Sequence, residues 1–391
     1  MSYTAHLAAI GSAFLAARQR SSTLIPVRDG LGQLLAEDAH SKVDLPIFRN
    51  SQMDGFAVDV ASVARVPAEL TVTAVLAAGW SGSAEHVPGA AERIMTGAAM
   101  PVGADTVIPI EDTEPADVDG RIVVRSSRPV GAFVREAGSD IAKGSTVVPA
   151  GTYLAPRHLA AMACAGIESI LVRPQLSVAV VTTGAELVAP GEQIGPGQIY
   201  DGNLVGLASC LIRDGARVAH AERSPDHPAE LRKILDRIVG DVDLIVTSGG
   251  ISAGDFEVVR ETLSDGTFRH VAMQPGGPQG IAVYEGTPVL CFPGNPVSTL
   301  VSYEVFARAV IREDAGLPAK ARTTSRLTQP LTSLAGKRQF FRGKLGDTGV
   351  TPVAGPGSHL VAAMASADCL IDIPEDNTDI DEGAEVSTWP L

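Results

Sequence analysis

The sequence predicts a multidomain α/β and β protein with a doubly wound α/β domain at its centre. Three observations carry this. Between Pro174 and Ile311, short apolar runs alternate with helical patterns. On both sides of that region, short β-rich runs are broken by Gly, Pro and Asp. The first residues carry an apolar stripe at helical spacing. A chain of 391 residues has room for two to four domains, since a domain commonly takes roughly 100–200 residues.

Leu7, Ile10, Phe14 and Ala17 predict an amphipathic helix, and no basic region precedes them as it would in a signal peptide. A turn follows at Arg28–Gly30. Between 45 and 140, the runs Leu70–Val75, Thr106–Ile110 and Ile122–Val124 predict a small β-rich domain. Pro156 opens an Ala-rich helix and Gly166 lies just past its end. That helix is expected to pack back on the N-terminal one, making 1–44 plus 141–173 a single discontinuous helical domain. From 174 to 318, strands are expected at Ser177–Thr183, Arg217–Ala221, Leu244–Thr247 and Pro288–Phe292. Helices are expected at Leu204–Arg213, Pro228–Val239, Val258–Leu263 and Val297–Ile311. This order implies a mainly parallel, Rossmann-like sheet with ligands at the carboxyl ends of its strands. Residues 319–391 return to short strands, a small C-terminal β-barrel-like domain.

Forty-five per cent of the chain is apolar, enough for folded cores, but aromatics are only 4%, so packing falls to Ala, Val, Leu and Ile. The formal charge is −14 and no Lys/Arg run exists, so no nucleic-acid partner is expected. Any anionic ligand must be met by local donors. Cys164, Cys210, Cys291 and Cys369 form no C-x-x-C, which fits a reducing cytoplasm better than a disulfide framework or a zinc site. No apolar stretch is long enough for a membrane span.

Three loops each follow an apolar strand and precede a helix: Thr182–Leu187, Ser248–Glu257 and Phe292–Thr299. Their glycines allow close backbone approach, and free amides there attract anions. The residues singled out are Thr183 and Gly184, then Ser248, Gly249, Gly250, Ser252 and Gly254, then Pro293, Gly294, Asn295, Pro296 and Ser298. Glu186, Asp226, Asp255 and Glu257 stand beside these loops. Carboxylates gathered at one edge repel one another unless a cation intervenes, and hard oxygen ligands without Cys or His favour Mg²⁺. Anion loops and a cation together suggest a phosphorylated or nucleotide-like substrate. A rival reading exists. Gly250-Ile251-Ser252-Ala253-Gly254 matches the G-x-S-x-G of a hydrolase elbow, with Ser252 as nucleophile, His270 or His359 as base and Asp265 among several acids.

One longer segment carries a resemblance. Leu45 to Val58, with Phe48-Arg49-Asn50-Ser51-Gln52-Met53-Asp54-Gly55-Phe56 at its centre, closely resembles P-x-F-x-N-S-x-M-D-G-[YF]-A-V of the molybdopterin molybdenumtransferase (MoeA) family. Further matches follow in order: Arg93–Ala98, Pro101–Asp105, Arg135–Asp140, Ile199–Asn203, the Ser248 and Pro293 loops, and Gly357–His359. The chain is also similar to the C-terminal part of gephyrin. The resemblance implies a homodimer of four-domain subunits whose α/β domain binds molybdopterin. It implies molybdate and adenylylated molybdopterin as substrates, Mg²⁺ assistance, release of AMP, and delivery of substrate by a molybdopterin adenylyltransferase. It places Asp54, Thr96, Glu186, Asp226, Glu257, Arg342 and Ser358 in the catalytic set, with Glu186, Asp226 and Glu257 as metal ligands, and Gln274 at the substrate.

The chain departs from the family pattern at three places. Glu257 stands where Asp is usual, and Ala185 stands where an acid is common. The K-P-G-K-P segment reads Gln274-Pro275-Gly276-Gly277-Pro278, so both lysines are absent. Gln cannot neutralise a dianion. Arg269, His270, Arg342 or a second cation are the available substitutes. The same loss also suits a weakened, binding-only or scaffolding homologue.

Overall fold

The computed structural model describes residues 1–17, 20–79, 85–118, 120–252 and 257–391. They divide into two compact units. The first contains Met1–Thr23, Gly32–Leu34 and Arg173–Leu391, and the second contains Leu24–Leu31 and Leu35–Val172.

At the centre of the first unit is a six-stranded sheet: β1 (Ser177–Thr183), β2 (Arg217–Ser224), β3 (Leu244–Ser248), β4 (Thr267–His270), β5 (Pro278–Tyr284) and β6 (Thr287–Phe292). Their spatial order is β2-β1-β3-β6-β5-β4. The first four are parallel, and β5 and β4 are added antiparallel. Burial on both faces explains why the strands read as continuous apolar runs. Side chains alternate along β1. Val178 and Val180 join a core with Leu207 and Leu211 of the Gly202–Arg213 helix. Ala179 and Val181 join the opposite core with Leu231 and Leu235 of the Pro228–Ile238 helix. The parallel strands end in step, Thr182 opposite Ser248 and Ser248 opposite Phe292. Three loops therefore leave the sheet at one level.

The helix predicted at the N-terminus spans Tyr3–Ala17, but its partner differs from the expected one. Ile10, Phe14 and Ala17 pack into the β1 core of the first unit, while the Pro156–Cys164 helix lies in the second. Tyr3 packs against Phe306 at 5.4 Å and Phe340 at 5.9 Å between ring centroids. Helical periodicity marks which face of a helix is buried but carries no information about the surface that buries it. The helix expected at Val297–Ile311 runs from Pro296 to Asp314 with a buried π-helical turn at Tyr303–Ala307. A C-terminal sheet holds Arg338–Gly346, Cys369–Ile373, Glu385–Pro390 and Thr323–Arg326. Met273–Gln274 adds to it in parallel, with Gln274 opposite Gln339.

The second unit holds a six-stranded mixed sheet in which Ala68–Leu76, Thr106–Pro109 and Arg121–Val124 realise the expected strands. The Pro156–Cys164 helix closes a separate core around Leu154, Met162 and Ile170. Among the described residues, no helix is long and apolar enough to cross a membrane.

His6 supplies a pH test of the first unit. Its ring is 3% exposed, and burial lowers its pKa from 6.5 to about 4. The neutral ring therefore contributes stability that is complete above pH 6.5 and is lost as pH falls through about 4. The urea midpoint should fall across that window in the wild type and fall less steeply in His6→Gln. Equal slopes would assign the titration to other groups.

Candidate functional site

The three loops enclose a cavity of ≈ 460 Å³ at the carboxyl ends of β1, β3 and β6. Glycine at 249 is required by geometry. Its φ is +99°, and a Cβ there would lie 2.6 Å from the Thr183 carbonyl oxygen and 2.7 Å from Thr183 Oγ1. A Cβ on Gly294 would in turn come within 3.3 Å of Gly249 Cα. The turns after β1, β3 and β6 are thus stacked backbone against backbone.

Behind them lies a buried hydroxyl and amide staple. Asn203 Nδ2 donates to Ser248 Oγ at 3.0 Å and to the Gly294 carbonyl at 2.6 Å. Ser248 Oγ donates to the Pro293 carbonyl at 3.1 Å, and Thr299 Oγ1 donates to the same carbonyl at 2.7 Å. Thr182 Oγ1 donates to Asp201 at 2.6 Å, while the other oxygen of Asp201 caps the Gly202–Arg213 helix through Leu204 N–H. Ser248, expected as a ligand contact, is therefore tied up inside the staple and does not line the cavity. Asp201, Asn203 and Tyr200 do line it. They were not chosen as site residues from the sequence, although the Ile199–Asn203 motif pointed to them.

Thr183, Gly184, Gly249, Gly250, Ser252, Pro293, Gly294, Asn295, Pro296 and Ser298 all line the cavity, as do Glu186, Asp226 and Glu257. Gly254 and Asp255 lie outside the described residues. The three acids share the cavity but do not form the compact ligand trio expected of them. No group of three His, Cys, Asp or Glu among the described residues is placed to hold a metal. The backbone draws two of them away. Asp226 accepts the Ala185 N–H at 2.9 Å, and Glu257 accepts the Ser252 N–H at 2.5 Å. The Glu186 carboxylate folds back over Gly184, 2.8 Å from where a Cβ would stand. Thr183 Oγ1 and Asn203 Oδ1 are buried without partners, so polar capacity remains at the cavity wall.

Arg342 and Ser358 are not in the lining. Arg342 is fully buried, donates to the Gly355 and Gly357 carbonyls, and keeps Nε and Nη1 unpartnered. Burial pulls its pKa below the ordinary value. The Ser358 carbonyl accepts the Val297 N–H at 3.2 Å, which links this loop to the helix that borders the cavity. Gln274 is turned to Gln339, whose Nε2 donates to it at 2.5 Å, and it too is absent from the lining. Asp54 and Thr96 form a pair within the second unit: Asp54 accepts the Thr96 N–H at 2.7 Å and its hydroxyl at 2.8 Å. These bonds, the backbone one foremost, hold the Asp54 pKa below the ordinary 3.8. For the hydrolase alternative, Ser252 makes no hydrogen bond to a histidine among the described residues.

Residues 1–166 match the family described as MoeA N-terminal region (domain I and II). Residues 179–313 match "Probable molybdopterin binding domain", and residues 324–391 match MoeA C-terminal region (domain IV). Over 384 residues the chain is 39% identical to molybdopterin molybdenumtransferase 2 of Mycobacterium tuberculosis, covering 94% of each. The chain belongs to the MoeA family. Molybdopterin molybdenumtransferase 1 of the same organism is 32% identical over 385 residues, covering 90% of each. The MoeA crystal structure from Pyrococcus horikoshii superposes with a TM-score of 0.82 at 31% identity, covering 100% of this chain and 98% of that one. The cavity lies in the stretch that matches the molybdopterin binding description of this MoeA chain.

Two measurements probe this geometry. Gly249→Ala should destabilise the first unit by about 2 kcal/mol or more, from a strained φ and the clash with Thr183. An unchanged urea midpoint would mean the turns are not stacked. In a carboxyl ¹³C NMR titration, Asp54 should titrate below 3.8. Thr96→Val should raise that value part of the way, because the stronger backbone bond stays. No movement would mean the hydroxyl bond is not made in solution.

Proposed function

We propose that this MoeA-family chain transfers molybdenum from molybdate to adenylylated molybdopterin, releasing AMP. The observation that carries the reading is the cavity where three glycine turns meet Glu186, Asp226 and Glu257. The turns suit an oxyanion or phosphate, because a backbone without Cβ brings amides close to a ligand. Tyr200 and Leu187, beside Ile199, supply flat and apolar surface for the ring system.

A divalent cation fits this site in one form only. Mg²⁺ is commonly held by one or two carboxylates together with waters and substrate phosphates, not by a cage of protein ligands alone. The dispersed acids agree with that pattern, and Asp226, Glu186 and Glu257 are the residues that would hold it. When bound, it would neutralise charge on the phosphoanhydride that breaks as AMP leaves. The chain's own groups then have separable roles. Asn203 and Ser248 keep the turns in register. Arg342 holds the turn before Ser358 through the Gly355 and Gly357 carbonyls, and the Ser358 carbonyl ties that loop to the Val297 helix start. Asp54 and Thr96 form a polar pair in the N-terminal region, to be shared with the active site of a partner in a homodimer. Supply by a molybdopterin adenylyltransferase in the cytoplasm completes the reading.

The test uses purified chain, adenylylated molybdopterin and molybdate. Molybdate-dependent AMP release should occur. Asp226→Ala or Glu257→Ala should lower its rate by about 10²-fold or more while pterin binding remains measurable. Tight pterin binding with no AMP release in the wild type would instead identify a binding-only homologue, an outcome that Gln274 and Gly277 in place of the lysines would explain. Normal turnover in both variants would remove the carboxylates from the mechanism.

A further inference from the structure

We propose that a second bay beside the main cavity binds a tetrahedral oxyanion through Arg260 and His270, standing in for the positive charge absent at positions 274 and 277. The bay measures ≈ 260 Å³ and shares Ile251, Ser252 and Pro278 with the main cavity, so the two open onto the same wall. Its remaining lining is Arg260, Phe268, Arg269 and His270, and no acid among the described residues takes part. That volume is several times the ~30 Å³ share of one water, so an oxyanion enters with part of its hydration.

In a chain of net charge −14, two guanidiniums and an imidazole facing one hollow without a carboxylate among the described residues stand out. None of the three takes part in an ion pair among the described residues. Glu261 and Asp265, close by in sequence, leave them unpaired. Arg269 Nη1 turns back to the Phe268 carbonyl at 3.2 Å, which leaves Arg260 and His270 as the principal donors.

The position of the imidazole gives the bay its particular character. β4 pairs with β5 so that His270 stands opposite Pro278, and Val271 N–H donates to the Gly277 carbonyl at 2.7 Å. This lays the His270 ring directly across Gly277. A Cβ at 277 would come within 2.5 Å of His270 Cε1 and 2.6 Å of Nε2. The ring thus fills the space where a side chain on 277 would begin. Losing that side chain and seating the imidazole are one structural event, which moves the donor from the turn to the neighbouring strand. The bay's ligand chemistry is a dianionic tetrahedral group, either the metal oxyanion or the phosphate end of the pterin substrate. The inference rests on the main cavity being the substrate site.

Calorimetric titration of the full chain with molybdate alone, and separately with AMP alone, tests it. Arg260→Gln/His270→Gln should bind at least one of the two about tenfold more weakly than wild type. Loss in the molybdate arm assigns the bay to the metal oxyanion, and loss in the AMP arm assigns it to phosphate. Gly277→Ala, which pushes the ring aside, should weaken the same arm. Arg28→Gln, a surface charge in the other unit, should bind as wild type does. Both residues of the double variant are exposed, so it should fold, and circular dichroism checks that. Unchanged binding of both anions, or an equal loss in Arg28→Gln, overturns the bay. Absence of AMP release by a wild type whose anion binding depends on Arg260 and His270 would overturn the proposed function and leave the bay standing.

Discussion

The close stacking of Thr183, Gly249 and Gly294 is the constraint on which the site depends. Each turn can approach the next only because two of the three positions carry no side chain. Asn203, Ser248 and Thr299, with the Thr182–Asp201 bond, fill the space behind the turns. The parallel strands beneath end at one level, so a small error at any one of them would pull a turn out of the stack. The edge of the cavity is thus built from main chain first, and its side chains are hung on it.

Charge is arranged to work against the global field. A strongly acidic chain must concentrate its donors to hold an anion, and it does so in buried or recessed places. Among the described residues Arg342 has no carboxylate partner and keeps two unpartnered nitrogens inside the C-terminal sheet. Arg260 and His270 line a recess with no acid among the described residues. The acids of the main cavity are meanwhile restrained by Ala185 and Ser252 amides, which spreads their charge over the wall. Spread in this way, the carboxylates repel one another less than a compact trio would.

Much of this was legible in the sequence, and the failures have physical reasons. The uninterrupted apolar run Ser177–Thr183 announced a strand covered on both faces, and the spacing of strands and helices announced the doubly wound sheet. The glycine turns placed most of the cavity lining correctly, because a turn between strand and helix has few ways to run. The destination of the Tyr3–Ala17 helix was not legible, since an apolar stripe fits any apolar surface. Ser248 and Gln274 were misplaced for another reason. Motif position says that a residue is near a site, but hydrogen-bond partners decide whether it faces inward, and Asn203 and Gln339 are distant in sequence. The spread of the three acids was not legible either, because the backbone amides that hold Asp226 and Glu257 leave no trace in composition.

The short strand Met273–Gln274 belongs to the C-terminal sheet, and β5, which begins at Pro278, belongs to the α/β sheet. Only three residues separate them, a tether of roughly 3.3–3.6 Å per residue at full stretch. The two sheets are therefore geared: neither can slide along the other without dragging the Pro275–Gly277 crossing and whatever rests on it. A shift of Gln274 with its C-terminal strand would reach Gly277, and through it the His270 ring that lies across it.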